Sequence, residues 1–434
     1  VDRDHLFIEP ETSASLSAID DLPSDGPLLS ETELQQRIDA ALRAGNQRWL
    51  WPDVTVAKWQ EALQSIERVT RAILCEGRSA EPVTGELDAL RIAAYTSGMG
   101  PLLGHWIREG SVTASTEIAP LLVLHLQHNA RRMERMDAAA RQVMASLQAA
   151  GIDALLLKGM HTSGTYFPSR ATRTLSDIDI FVPPRHEPRA QTILTDLGYE
   201  RGEIAQRNIP RAESWHPSGM RTLPRSLNHV HCDDPYSIDL QFSLNRRTPG
   251  GSKVIAFDDL IASGEIAPGV SPLLPQPALL LHLACHAGIN LASLSLMRQT
   301  ELVFVIRKDF ADGGGDWHRL TAMAEHLGVK EPVFRAFAIV NKLAPDTVPD
   351  DVMREFAAPT SARLRAQVAN LQPANAHRLT GKSADEFFVW NGSIGEAVME
   401  VLRTVLPIGS VALRRLPQIY LARFWRAVRS MSDK

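Results

Sequence analysis

The chain is short of several features that would define other protein classes. Its 434 residues hold three cysteines, Cys75, Cys232 and Cys285, far apart, odd in number and without a C-x-x-C pair. That excludes a disulfide framework and reads as buried or incidental thiols. No apolar run approaches the roughly 18 residues that span a bilayer, so no integral membrane association is expected. The opening Val1-Asp2-Arg3-Asp4 is acidic and precedes no apolar core, unlike a secretory leader. The expectation is a soluble, cytoplasmic protein. An excess of positive charge is missing too. A net charge of −4 gives no basic field for non-specific nucleic-acid binding, and no DNA partner is expected. Lysine is scarce, eight among 46 basic residues, so a lysine inside an apolar stretch is conspicuous.

What is present is ordinary globular material, 44% hydrophobic and 22% charged, long enough for two or three packed units. The first thirty residues, rich in Ser, Asp, Pro and Glu, read as a lead-in. Helical spacing follows, from Ser30-Glu31-Thr32-Glu33 and through Val56, Trp59, Leu63, Ile66, Val69 and Ile73. A long helix is predicted over Pro120–Ala150, ended by Gly151. Then Asp153–Leu157 reads as a buried strand ending at Lys158-Gly159, Ile178–Val182 as a second strand, and Arg185–Leu197 as a helix. His229–Cys232 and Ser237–Leu244 alternate in period two, as half-buried strands do. Arg201–Arg225 is unpatterned and reads as a long loop over the sheet. Helical spacing returns over Pro275–Leu294, Leu296–Phe310, Trp317–Leu327 and Val333–Leu343. Gly313-Gly314-Gly315 is a linker without the ending of a phosphate loop. The basic, apolar stretch Val411–Met431 reads as a helix docked on its own protein. The fold class expected is α+β: a small mixed sheet in residues 116–250, with a helical N-terminal region over 1–115 and a helical C-terminal domain over 251–434.

Chemistry concentrates between Leu155 and Leu244. In a strand, residues i and i+2 share a face, so Asp177 and Asp179 project together. Two such carboxylates repel and resist ionisation unless a cation lies between them. Asp239, between Ile238 and Leu240, supplies a third. Three hard oxygen donors suit Mg²⁺ or Mn²⁺, and two such ions about 3.5–4 Å apart activate a hydroxyl and stabilise leaving pyrophosphate. Gly159, just after a strand, lets backbone N–H groups approach a triphosphate. His282 and His286, four apart on a helix, lack the further ligands that zinc needs.

The set Leu157-Lys158-Gly159, Tyr166, Arg173-Thr174-Leu175-Ser176-Asp177-Ile178-Asp179-Ile180-Phe181-Val182, Leu197-Gly198-Tyr199 and Ile238-Asp239-Leu240 resembles the bacterial uncharacterised nucleotidyltransferase family. That family lies within the DNA polymerase β-like nucleotidyltransferase superfamily. Its pattern is an L-K-G turn, an R-x-x-[ST]-D-[IL]-D-[LI]-x-V block and a later D-L-H. Leu280–His286 and Asp316–Gly328 match its helical half, so the resemblance covers roughly 120 to 345. Where the family usually has His after the third carboxylate, this chain has Gln241.

The resemblance implies transfer of NMP from an NTP to an acceptor hydroxyl, of a small molecule or a peptide, with release of pyrophosphate. Asp177, Asp179 and Asp239 would be the catalytic and metal-binding residues. Lys158, Gly159, Thr162 and Arg173 would bind the nucleotide, Arg173 as a phosphate clamp. Trp215 and His216 of the 201–225 loop, with His286, would wall the acceptor side, and His229 and His231 read as sheet surface. Two other readings stay open at this point: a non-catalytic nucleotide-binding or antitoxin-like module, and a phosphotransferase on a related core.

Overall fold

The structure is a computed structural model and describes residues 28–44, 46–202, 212–248, 254–311 and 314–376, with residues 386, 389, 390 and 395. Residues 1–27 of the lead-in and the basic stretch 411–431 lie outside these. The N-terminal arm is α1 (Glu31–Ala44), α2 (Val56–Glu76), α3 (Leu87–Ser97) and α4 (Gly100–Arg108), followed by the long α5 (Ile118–Ala149). Local chemistry sets their ends. Ser30 and Glu33 cap α1 reciprocally: the Glu33 N–H reaches Ser30 Oγ at 3.3 Å and the Ser30 N–H reaches Glu33 Oε2 at 3.0 Å. Thr55 caps α2, which stops at Gly77 with φ 75°. Gly151, at φ 71°, ends the reversal after α5.

Next comes the sheet unit: β1 (Leu155–Leu156), α6 (Lys158–Thr165), β2 (Asp177–Phe181), α7 (Glu187–Asp196), β3 (Tyr199–Arg201), β4 (Ala212–Pro217) and β5 (Ser237–Gln241). The strands lie in the order β1-β2-β5-β4-β3, and only β2 and β5 run parallel. A short ribbon, β6 (Arg246–Arg247) with β7 (Val254–Ile255), follows. Last come α8 (Asp258–Ala262), α9 (Ala278–Ile289), α10 (Leu296–Ile306), α11 (Trp317–His326), α12 (Lys330–Leu343), α13 (Asp350–Ala357), α14 (Ala362–Asn370) and α15 (Pro373–Ala376). This is the mixed α+β class expected, a small sheet with helical flanks.

Among the described residues, two apolar cores hold the fold together. One lies under the sheet, where Ile178, Ile180, Ile238 and Leu240 meet Met133, Met136, Val143 and Leu147 of α5 and Ala190 and Leu194 of α7. The other joins the N-terminal helices to the C-terminal ones: Leu63 and Ile66 of α2 and Leu102 of α4 share a cluster with Leu281 of α9, Val303 of α10 and Phe337 of α12. Polar ties cross the same seam, Arg307 donating to the Leu74 carbonyl at 2.6 Å and the Ala374 N–H to Glu67 at 2.8 Å. No described helix is long and apolar enough to cross a membrane.

Three local expectations are corrected. The segment expected as a loop over 201–225 contains β4, which pairs antiparallel with β5. Its alternation is obscured because Glu213, at 6% exposure, faces inward on bonds from Gln191 at 3.0 Å and Arg201 at 2.6 Å. Residues 229–232, expected as a strand, run as irregular backbone into a turn at Cys232-Asp233. The strand expected over 153–157 is two residues long: the Leu157 N–H makes a last bond to the Asp179 carbonyl at 2.9 Å, and Lys158, at φ 42°, then opens α6.

Close helix contact generates a test. A β-carbon at Gly288 of α9 would lie 1.9 Å from the Pro332 carbonyl oxygen of α12. Gly288→Ala is therefore expected to destabilise the folded chain by about 1–3 kcal/mol through forced separation of the two helices. Chemical denaturation checks this; an unchanged midpoint would mean the helices have room to spare.

Candidate metal and nucleotide site

Parallel pairing of β2 with β5 builds the site. It sets Asp177 opposite Ser237 and Asp179 opposite Asp239. Period two sends Asp177, Asp179, Ser237, Asp239 and Gln241 to one face and the isoleucines to the core behind. The three aspartates offer carboxylate oxygens that all lie within 4.8 Å of one another. Burial pushes the Asp177 carboxyl above the usual range, and the Asp179 charge adds to it. Burial, with the charges of Asp177 and Asp179, pushes Asp239 up to about 6, against hydrogen bonds donated to its Oδ1 by Ser214 at 2.9 Å and Ser237 at 3.1 Å. Carboxylates crowded into mutual repulsion form a donor set that a divalent, oxygen-seeking cation fits. A stand-in cation is already there: the Lys158 ammonium lies 2.8 Å from Asp179 Oδ1, with both side chains buried.

Further groups surround the acids. The Gln241 amide donates to Asp179 Oδ1, and its carbonyl oxygen accepts from Arg246 at 3.0 Å. The same Arg246 nitrogen lies 2.7 Å from His282 Nε2. A guanidinium only donates, so this imidazole nitrogen accepts and the ring is neutral. Burial, then the Arg246 charge, holds His282 well below its ordinary pKa. Arg298, in the first turn of α10, lies close enough for its charge to favour ionised Asp177. It also disfavours protonation of His286, second only to burial. Its guanidinium has no hydrogen-bond or ion-pair partner among the described residues.

The structure brings some of the predicted residues together and turns others away. Asp177, Asp179, Asp239 and Lys158 converge. Arg173, expected to clamp phosphate, instead makes a two-pronged ion pair with Glu301 of α10, at 2.8 and 3.0 Å, with both side chains buried. The Thr162 hydroxyl donates to the same carboxylate. Both residues are thus already engaged, and the partner that engages them stands 128 positions beyond Arg173. Gly159 has a packing reason: a β-carbon there would come within 2.1 Å of Leu175 Cδ2 and 2.4 Å of Arg173 Nη1. The left-handed residue of the turn is Lys158, at φ 42°.

Trp215 is buried in the core behind the sheet, its Nε1 donating to Glu213 at 3.3 Å, and so is not on the site face. His216, two residues after Ser214, lies on that face and is exposed. His286, on α9, lies near enough to Arg298, Lys158 and Arg246 for their charges to disfavour its protonation. Gln241 was visible in sequence as a departure from the family pattern. Nothing local marked Ser214, Arg246, Arg298 or Glu301. The polar stripe His125, His128, Asn129 and Arg132 on α5 has helical spacing, yet it is buried. Asn129 donates to the Arg173 carbonyl at 3.0 Å, and Arg132 to those of Leu175 and of Pro235, the latter at 2.8 Å. These bonds hold the lead-ins to both acidic strands.

The model of a family described as uncharacterised nucleotidyltransferase matches residues 85–345, and the chain belongs to that family. The matched segment begins upstream of the expected position near 120 and so takes in α3 and α4. No curated protein and no solved structure matches.

The raised Asp239 pKa has a signed consequence. Its folded value, about 6, exceeds the ordinary 3.8. Stability from the bound proton is therefore present below about pH 4 and is lost as pH rises through 6, about 2–3 kcal/mol in all. In EDTA, Asp239→Asn should melt above the wild type at pH 8 and close to it at pH 4.5. Mg²⁺ or Mn²⁺ should restore the wild type at pH 8 and leave the variant unmoved. A gap between the two proteins that does not change with pH would contradict this electrostatic account.

Proposed function

We propose that this member of the uncharacterised nucleotidyltransferase family transfers NMP from an NTP to an acceptor hydroxyl, of a small molecule or a peptide, and releases pyrophosphate. The observation that carries the reading is the register that sets Asp179 opposite Asp239, with Asp177 one strand repeat away, on a single face. Three crowded carboxylates, two of them buried, held in mutual repulsion cost stability, and a cation-dependent site gives that cost a purpose. Asp177, Asp179 and Asp239 would hold Mg²⁺ or Mn²⁺, which supplies Lewis acidity toward phosphate oxygens.

The remaining work falls to this chain's own side chains. The acceptor oxygen attacks the α-phosphorus, the bond from that phosphorus to the bridging oxygen breaks, and pyrophosphate leaves with the electron pair. Asp239, with a pKa near 6, is suited to take the acceptor's proton at neutral pH. Ser214 and Ser237 orient its carboxylate. Arg298 is the guanidinium available for the pyrophosphate end, in the role first expected of Arg173. Lys158 exchanges its bond to Asp179 for a phosphate contact. Gln241, held by Arg246, keeps Asp179 aimed at the site while the lysine moves. His216 and His286 flank the acceptor approach.

Pyrophosphate release from each NTP, measured with a panel of hydroxyl-bearing acceptors, tests the reading. Asp177→Asn and Asp179→Asn should lower the rate by at least about a thousandfold with folding intact. Arg298→Ala should raise the NTP KM about tenfold or more. The product should gain the mass of NMP; a gain of phosphate alone would assign phosphotransfer. NTP binding indifferent to divalent cations, without turnover, would assign a binding module.

A further inference from the structure

A second cluster of ligating side chains lies where α5 meets the lead-in to β5 and takes no part in the proposed reaction. His128 of α5 meets the turn formed by His231 and Cys232, and one ligand atom from each of the three lies within 4.8 Å of the other two. His128 and His231 are buried, while Cys232 is half-buried and Asp233 exposed, so the cluster has a route to solvent. Cys232 Sγ is 3.8 Å from His231 Nδ1, and the Asp233 carboxylate is 3.7 Å from the same nitrogen. The His128 and His231 rings are 4.5 Å apart, and the His229 ring stands 4.7 Å from His128.

The protonation state of these rings can be read from their partners. The Cys232 N–H donates to His128 Nδ1 at 3.2 Å, and the Asp233 N–H donates to His231 Nδ1 at 3.0 Å. A backbone N–H can only donate, so each Nδ1 carries a lone pair and no proton. That is the form in which imidazole binds a metal. Two imidazoles, a thiol and a nearby carboxylate make a borderline-soft set, unlike the all-oxygen set of the three aspartates.

We propose that His128, His231 and Cys232, with Asp233 as the fourth donor in reach, form a site for a zinc-class divalent cation, separate from the Asp177–Asp179–Asp239 site. Binding replaces the two N–H···N contacts of the turn with metal–nitrogen bonds and releases the Cys232 thiol proton to solvent as the thiolate forms. The position gives the cation a structural task. The turn at 231–234 runs through Pro235, which Arg132 holds, directly into β5 and Asp239. A metal there would fasten the lead-in of the catalytic strand to α5.

The test uses the full chain with Asp177→Asn and Asp179→Asn, so that the acidic site does not compete. After exposure to Zn²⁺ and gel filtration, about one zinc per chain should remain. Co²⁺ in its place should give thiolate-to-cobalt charge-transfer absorption. Cys232→Ser should abolish that band and lose the zinc, whereas Cys75→Ser and Cys285→Ser should keep both. As a check independent of the variants' folding, Zn²⁺ added after chelation should raise the melting temperature of the Cys232-containing protein. Absence of retained zinc in that folded protein, or a cobalt band that survives Cys232→Ser, would overturn the assignment.

Discussion

The structure turns on the parallel contact between two five-residue strands, because that contact concentrates negative charge where water is scarce. β2 and β5 are separated in sequence by a helix and two antiparallel strands, and their pairing sets Asp179 directly against Asp239. Like charges at this spacing, buried, are unfavourable unless cations are placed around them. The surroundings supply them from three directions: Lys158 from the turn after β1, Arg246 through Gln241 from the ribbon after β5, and Arg298 from α10. The helical flanks thus do electrostatic work for the sheet as well as covering it.

A second layer of charge is balanced internally. Glu301 receives both prongs of Arg173 and the Thr162 hydroxyl. Burial, the largest influence, would raise its pKa, but Arg173 and Arg298 outweigh it and hold the carboxyl below its ordinary range. Removing one partner of so buried a pair typically costs about 3–5 kcal/mol, because the other charge is left stranded. The bridge spans α6, the lead-in to β2, and α10, so it locks the lysine turn to the helix that carries Arg298.

The acidic face was legible in the sequence because its information is local: two carboxylates at period two, flanked by Ile178 and Ile180, and a lysine at the end of an apolar strand. The helices α1, α2 and α5 were legible through spacing and caps. What stayed hidden depends on partners far along the chain. Nothing near Arg173 announces Glu301, so a guanidinium in a phosphate-binding neighbourhood reads as a phosphate ligand. Trp215 reads as a loop aromatic because the buried Glu213 breaks the strand pattern. The polar α5 stripe His125, His128, Asn129 and Arg132 carries no local mark of burial, yet it faces backbone carbonyls and a histidine-rich turn. Polar residues turned inward defeat periodicity, since the pattern records polarity and not direction.

The Arg173–Glu301 bridge also bears on how the chain can be divided or rearranged. A fragment that ends after β5 would contain the acidic face and the lysine turn, yet it would leave the Arg173 guanidinium without its Glu301 counter-charge. The sheet unit is therefore not a transplantable module in the way its sequence boundaries suggest. Recombination between relatives would have to carry the strand block and α10 together, because Arg173 and Glu301, 128 positions apart, form a single unit of inheritance.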